Sequence, residues 1–144
     1  MKPMDRLIAV VDRLRSPGGC PWDRRQTHRS LIRFLREETR ELEAALRKGA
    51  WHEIEEELGD VLLQILLHSR IQAEKGRFDI QDVARAQALK LVRRHPHVFG
   101  GRLRVQTAKD VLAIWQEVKT REKRLRSRDI ARRSVRKKKI PSRQ

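Results

Sequence analysis

The chain has few of the residues that staple, stack or span. It has one cysteine, Cys20, and no tyrosine, and aromatics make up only 4% of its 144 residues. A single cysteine excludes an intramolecular disulfide and fits a reducing cytosol. No apolar run approaches the ~20 residues that a membrane-spanning helix needs. Asp5, Arg6 and Asp12 break up the apolar stretch near the start, so no signal peptide is expected. Glycine and cysteine signatures are missing too: there is no P-loop, GxGxxG or CxxC pattern, and no internal repeat. The expectation is a soluble, cytoplasmic protein.

Charge is what the chain has in quantity. Charged and apolar residues each make up 38%, and with few β-branched runs this favours surface-rich helices over a β-sandwich. The length suits one domain with a modest core. Of the net charge of +16, residues 121–144 contribute +10, from 12 Lys/Arg against 2 acids. The basicity is therefore mainly that of the C-terminal end. The expected organisation is a folded domain over 1–126 and a basic, disordered tail over 127–144.

Apolar spacing predicts a helix over 4–15, carrying Leu7, Ile8, Val11 and Leu14 and ended by Ser16-Pro17-Gly18-Gly19. Cys20-Pro21-Trp22-Asp23 reads as a structured loop, with Trp22 as a hydrophobic plug beneath it. His28 reads as a histidine bonded to a nearby carbonyl. A second helix starts at Thr27 or shortly before and runs to Lys48, burying Leu31, Leu35, Leu42 and Leu46, with Phe34 and Ala45 flanking. A third spans about Trp51 to Lys75, with Ile54, Leu58, Val61, Leu62, Ile65 and Leu66 inward and Gly76 closing it. Asp79 with Asp82 forms a capping box that opens a fourth helix to about Arg94, with Val83, Ala86 and Leu89 or Val92 inward. Pro96 stops it, and residues 95–106 read as a loop. Thr107 with Asp110 opens a fifth helix bearing Val111, Leu112, Trp115 and Val118, whose apolar period fades after Arg126.

Two helical segments carry a four-carboxylate constellation. Glu38 and Glu41 share one helix face, as do Glu57 and Asp60 on the next helix. Between them Arg47-Lys48-Gly49-Ala50 reads as a tight turn with Gly49 just past the helix end. Folded back antiparallel, Glu41 and Glu57 lie level at about 8 residues, or ~12 Å, from the turn, and Glu38 and Asp60 lie about 11 residues out. Four facing acids repel unless a cation sits between them. Oxygen-only ligands suit Mg²⁺, with Mn²⁺ as a substitute. For Glu43, Glu53 and Glu55 a solvated charged face suffices.

Such a cluster calls for a charged substrate, and phosphates are the commonest. Lys90, Arg93 and Arg94 form one basic patch at helical spacing, either solvated surface or a phosphate clamp. Trp115 could stack on a base or pack in the core beside Leu112. Together these pieces point to metal-assisted hydrolysis of a nucleotide.

The motifs Cys20-Pro-Trp-Asp23-x-x-Gln26-Thr-His28, Glu37-Glu38-x-x-Glu41, Glu56-Glu57-Leu-Gly-Asp60, Gly76-Arg-Phe78 and Lys90-Leu-x-Arg93-Arg94-His-Pro-His-Val-Phe99 occur in that order. Trp115 and Lys119 close the set. As a group they resemble the MazG family of nucleoside triphosphate pyrophosphohydrolases, over roughly residues 4–125. The resemblance implies an all-α, four-helix-bundle-type domain in a homodimer. The reaction it implies splits an NTP or dNTP between the α and β phosphates into the monophosphate and pyrophosphate. It further implies Glu38, Glu41, Glu57 and Asp60 as Mg²⁺ ligands, and Glu37 and Glu56 as residues that orient or deprotonate water. Lys90, Arg93 and Arg94 would hold phosphates and Trp115 the nucleotide.

Some family members carry two tandem domains, whereas this chain carries one. The family's apolar segment after the last helix is replaced from about Ser127 by the basic tail, and position 53 is Glu where relatives can carry a basic residue. Two other readings compete: a basic nucleic-acid-binding protein that uses the tail, and a narrower relative hydrolysing dUTP or phosphoribosyl-ATP.

Overall fold

In the computed structural model, residues 1–100, 105 and 107–138 are described, with 126 and 128–138 as backbone alone. All regular structure among the described residues is helical. It falls into two units, Met1–Ala84 and the residues from Arg85 onward.

The first unit holds α1 (Pro3–Arg15), α2 (Pro21–Arg25), α3 (His28–Lys48), α4 (Trp51–Ala73) and the start of α5 (Ile80–Arg94). The segment expected as a loop around Trp22 is the short helix α2. Pro21 opens it, because a first-turn residue has no use for the N–H that proline lacks. Thr27 caps α3: its hydroxyl accepts the Ser30 N–H at 3.1 Å while the Ser30 hydroxyl accepts the Thr27 N–H at 2.9 Å. The α3–α4 turn is built on Gly49 at φ 72°, a left-handed conformation that favours glycine, with its N–H donated to the Ala45 carbonyl at 2.9 Å.

α3 packs along α4, and α1 packs against α4. Val11, Leu31, Leu66, Leu67 and Ile71 form the core, with Leu7, Ile8, Phe34, Leu62, Leu63 and Ile80 packed on it. Two expectations about the buried stripes are corrected. On α3 Leu31 is buried as expected, but toward the helix end the buried residue is Ala45, whereas Leu46 is 57% exposed. On α4 Leu58 and Ile65 stand 53% and 42% exposed, while Gln64, Leu67 and Ile71 are buried. The inward face of α4 turns toward α1 in its second half. The helix is apolar around more than one side, and the described residues cover only part of it.

A buried arginine locks the helix ends together. Arg15, at the end of α1, donates Nε and Nη2 to the Glu74 carboxylate at 2.9 and 3.0 Å. Its Nη1 donates to the carbonyls of Asp23 and Gln26 at 2.5 and 3.2 Å.

α5 opens on the expected box, with the Asp79 N–H donated to Asp82 at 3.2 Å and the Asp82 N–H to Asp79 at 3.0 Å. Its expected inward residues are not buried: Val83, Ala86, Leu89 and Val92 are all exposed, and Ile80 in the first turn makes the core contact. The second unit holds the rest of α5, α6 (Pro96–Phe99) and α7 (Ala108–Lys138). The loop expected over 95–106 therefore begins with a helical turn, again opened by a proline. Residues 101–104 and 106 of that loop lie outside the described residues. Thr107 and Asp110 cap α7, with the Thr107 N–H donated to Asp110 at 3.0 Å and the Asp110 N–H to the Thr107 hydroxyl at 3.3 Å. α7 continues past Arg126 to Lys138, through a stretch expected to be disordered. Its many Arg and Lys residues, with Ala131, are strong helix formers that need no apolar face to be helical. The end of the expected tail, 139–144, lies outside the described residues.

Candidate functional site

The α3–α4 hairpin brings Glu38, Glu41 and Glu57 together, each offering a carboxylate oxygen within 4.8 Å of the others. Glu38 and Glu57 are half-buried and Glu41 is exposed. Asp60 lies one turn beyond Glu57 and is half-buried, but it is not part of this closest group of three. Its charge still reaches the cluster. Burial first, and then the charges of Asp60, Glu41, Glu37 and Glu57, hold the Glu38 carboxyl above the usual carboxylate range. Glu57 is raised likewise, by desolvation first and then by Glu41, Asp60, Glu56 and Glu53. The strongest charge on Glu38 is thus Asp60, and on Glu57 it is Glu41, each on the facing helix of the hairpin.

One atom marks the cluster as incomplete in the protein alone. Oε2 of Glu57 is buried and has no hydrogen-bond partner. An ionised carboxylate accepts and cannot donate, so a buried oxygen of this kind beside other acids is costly unless a cation meets it. A divalent metal fits this donor set: it is all oxygen, negatively charged and carried on two rigid helices. Glu37 and Glu56 sit beside the cluster and are exposed. Away from it, Glu43 pairs with Arg47 at 2.6 Å, and Glu53 pairs with Lys48. Both belong to a solvated face.

In the second unit Arg93 and Arg94 turn onto Glu122. Arg93 Nε donates to Oε1 at 2.6 Å, and Arg94 donates Nε and Nη2 to Oε2 at 3.2 and 2.6 Å. The two guanidiniums hold the Glu122 carboxyl down to about 2, Arg94's hydrogen bond contributing most. Trp115 is half-buried, with the Arg94 guanidinium 5.5 Å and the Lys119 ammonium 4.9 Å from its ring centre. Leu112, the expected core neighbour of Trp115, is 63% exposed. Lys90 is half-buried on α5.

Comparison with known proteins decides what this assembly belongs to. Residues 26–99 match the family model of the MazG nucleotide pyrophosphohydrolase domain. The chain belongs to the MazG family. It is 44% identical to the nucleoside triphosphate pyrophosphohydrolase/pyrophosphatase MazG of Thermotoga maritima, over 83% of this chain and 45% of that protein. To the nucleoside triphosphate pyrophosphohydrolase of Escherichia coli K12 it is 40% identical, over 85% of this chain and 47% of that protein. It therefore spans about half the length of these curated relatives. The crystal structure of a mazG-related protein from Thermotoga maritima superposes with a TM-score of 0.66 at 28% identity, covering 81% of this chain and 98% of that one.

This MazG chain also holds a histidine pair that the sequence does not reveal. His28, expected to bond a carbonyl, instead meets His68 Nδ1 to Nδ1 at 2.7 Å, and Gln72 donates its amide to His28 Nε2 at 2.6 Å. The two rings stack with an interplanar angle of 6°. With Nε2 of His28 accepting, its Nδ1–H donates to His68, which leaves the proton of His68 on Nε2. That nitrogen is buried without a partner, and burial, then His28, holds the His68 pKa below its ordinary value. The pair lines a cavity of about 260 Å³ with Leu35, Ile65, Phe78 and Val83. Trp22 is 47% exposed and meets Phe34 edge-on at 5.5 Å, so it only partly plugs the segment above it. Sequence reading also missed Glu122. Its one signal was an acid one helical turn beyond Lys119, itself one turn beyond Trp115, at the start of a basic segment.

Proposed function

We propose that this MazG chain is a Mg²⁺-dependent nucleoside triphosphate pyrophosphohydrolase. Water adds at phosphorus, the bond between the α and β phosphates breaks, and the products are a nucleoside monophosphate and pyrophosphate. The observation that carries the reading is the three-glutamate cluster with the unpartnered Oε2 of Glu57. Glu38, Glu41, Glu57 and Asp60 hold the metal, and Mn²⁺ is the expected substitute. A divalent ion there neutralises phosphate charge and polarises the phosphoryl group. Glu37 and Glu56 orient water or take its proton. Lys90, Arg93 and Arg94 hold phosphates, and Trp115 contacts the nucleotide, in keeping with a ring that already binds cations on its face. A stacking tryptophan tolerates any base, so broad use of NTPs and dNTPs follows.

The partner in this reading is a second copy of the chain. Leu46, Leu58 and Ile65 on the α3–α4 hairpin stand 57%, 53% and 42% exposed, and a second hairpin covers them by completing a four-helix bundle. A single free cysteine, and no described helix long and apolar enough to cross a membrane, suit a cytoplasmic enzyme. The basic residues from 127 onward add an accessory contact with nucleic acid or another acidic surface, one that salt weakens and deletion of 127–144 removes.

The test is release of pyrophosphate, in place of orthophosphate, from a panel of normal, oxidised and deaminated NTPs with Mg²⁺. A chain that leaves the whole panel intact does not have this function.

A further inference from the structure

Two arginines adjacent in sequence project about 100° apart around a helix, yet Arg93 and Arg94 converge on one carboxylate. Glu122 is 8% exposed, and each of its oxygens is taken by a different guanidinium: Oε1 by Arg93 at 2.5 and 2.6 Å, Oε2 by Arg94 at 2.6 and 3.2 Å. The shared anion cancels the repulsion between the two cations and draws both to the α7 side of α5. It leaves them unequal. The Arg94 side chain is 13% exposed, its Nε and Nη2 are committed, and it lies over Trp115. The Arg93 side chain is 52% exposed and keeps an outward edge of donors for a further anion.

We infer that Glu122 is a positioning residue of the phosphate clamp, fixing the Arg93 and Arg94 guanidiniums in the orientation in which phosphate oxygens meet them. The inference rests on the nucleotide reading above. It adds a residue that touches no substrate and acts through the two arginines. Trp115, Lys119 and Glu122 recur at helical spacing on α7, so one face of that helix sets the aromatic ring, a lysine and the anchor of both arginines. Charge-assisted paired hydrogen bonds of this kind fix direction as well as position. Without the anchor the arginines keep their charge and lose their aim.

The test is steady-state hydrolysis of ATP and dCTP by the full chain with Mg²⁺, comparing wild type, Glu122→Asp and Glu122→Gln. Inhibition by inorganic tripolyphosphate is measured beside it, all at a temperature where circular dichroism shows each variant folded. Loss of binding common to ground and transition states raises KM and spares kcat. Glu122→Gln is expected to raise KM and the tripolyphosphate inhibition constant about tenfold with kcat little changed. Glu122→Asp, which keeps the charge one methylene further back, raises both about threefold and carries the test alone where the glutamine variant does not fold. Unchanged KM and inhibition constants in an active variant of lowered melting temperature overturn the inference, because Glu122 is then only a tether between helices. A wild-type chain inactive on every nucleotide overturns the nucleotide reading, and this inference with it.

Discussion

Glu41 is the strongest charge acting on Glu57 across the α3–α4 hairpin, and together with desolvation it raises the Glu57 carboxyl above its ordinary range. Without metal, such raised carboxyls weaken the fold as pH climbs. The folded state holds protons that the unfolded chain has released, so stability falls as pH rises from about 4.5 through the raised folded values. Mg²⁺ at 100 times its dissociation constant adds about 2.7 kcal/mol to the folded state. The melting temperature is therefore expected to rise with Mg²⁺ more at pH 7.5 than at pH 4.5, where the raised carboxyls of Glu38 and Glu57 hold their protons against the ion. Asp60→Asn is expected to melt higher than wild type without metal and to lose the response to it. Thermal scans with Mg²⁺ or with EDTA check this; equal responses in wild type and Asp60→Asn count against it.

The histidine pair gives a second pH dependence of opposite sense. His68 is held below its ordinary value of 6.5 by burial and by His28, so its neutral form belongs to the fold. As pH falls below about 6.5 the unfolded chain takes up a proton that folded His68 refuses, and stability declines until the folded value is reached. Urea midpoints between pH 7.5 and 5.5 are expected to fall for wild type, and to fall less for His68→Gln. Parallel declines would show that the slope arises elsewhere.

Arg15 and Glu74 supply a third. The Arg15 side chain is 4% exposed and that of Glu74 33%, and the hydrogen bond from Arg15 holds the Glu74 carboxyl below its ordinary value. This stability is present above pH 4.5 and is lost as pH falls through the lower folded value. Glu74→Gln leaves a buried guanidinium poorly paired and is expected to cost about 2 kcal/mol, read as a shift in urea midpoint at pH 7. A change within error would mean that the two backbone carbonyls alone satisfy Arg15.

Much of this is legible in the sequence. The α3–α4 hairpin that brings Glu38, Glu41 and Glu57 together follows from helical spacing and one glycine turn, both local properties, and the capping pairs at Thr107–Asp110 and Asp79–Asp82 are equally local. The two short helices are not legible, because Pro96 reads as a stop and Cys20-Pro21-Trp22-Asp23 as a loop, whereas each proline opens a helical turn. The choice between Ala45 and Leu46 as the buried residue depended on how α3 rotates against α4, which apolar spacing alone does not decide. Leu58 and Ile65 look like core in the sequence because they are apolar at helical spacing, which does not tell which side of an apolar helix the rest of the chain packs against. Glu122 and His68 take their meaning from partners 28 and 40 residues away, and nothing in their immediate neighbourhood announces them.

The central claim is that four acids on one helical hairpin hold a metal that works on a triphosphate. It is tested most directly by measuring pyrophosphate and orthophosphate from ATP and dCTP with Mg²⁺ or with EDTA, for wild type, Glu38→Gln and Asp60→Asn. The account predicts pyrophosphate from wild type with Mg²⁺, none with EDTA, and at least about a hundredfold loss in both variants, each still folded. Orthophosphate as the product, turnover in EDTA, or a folded variant with wild-type rates would contradict it.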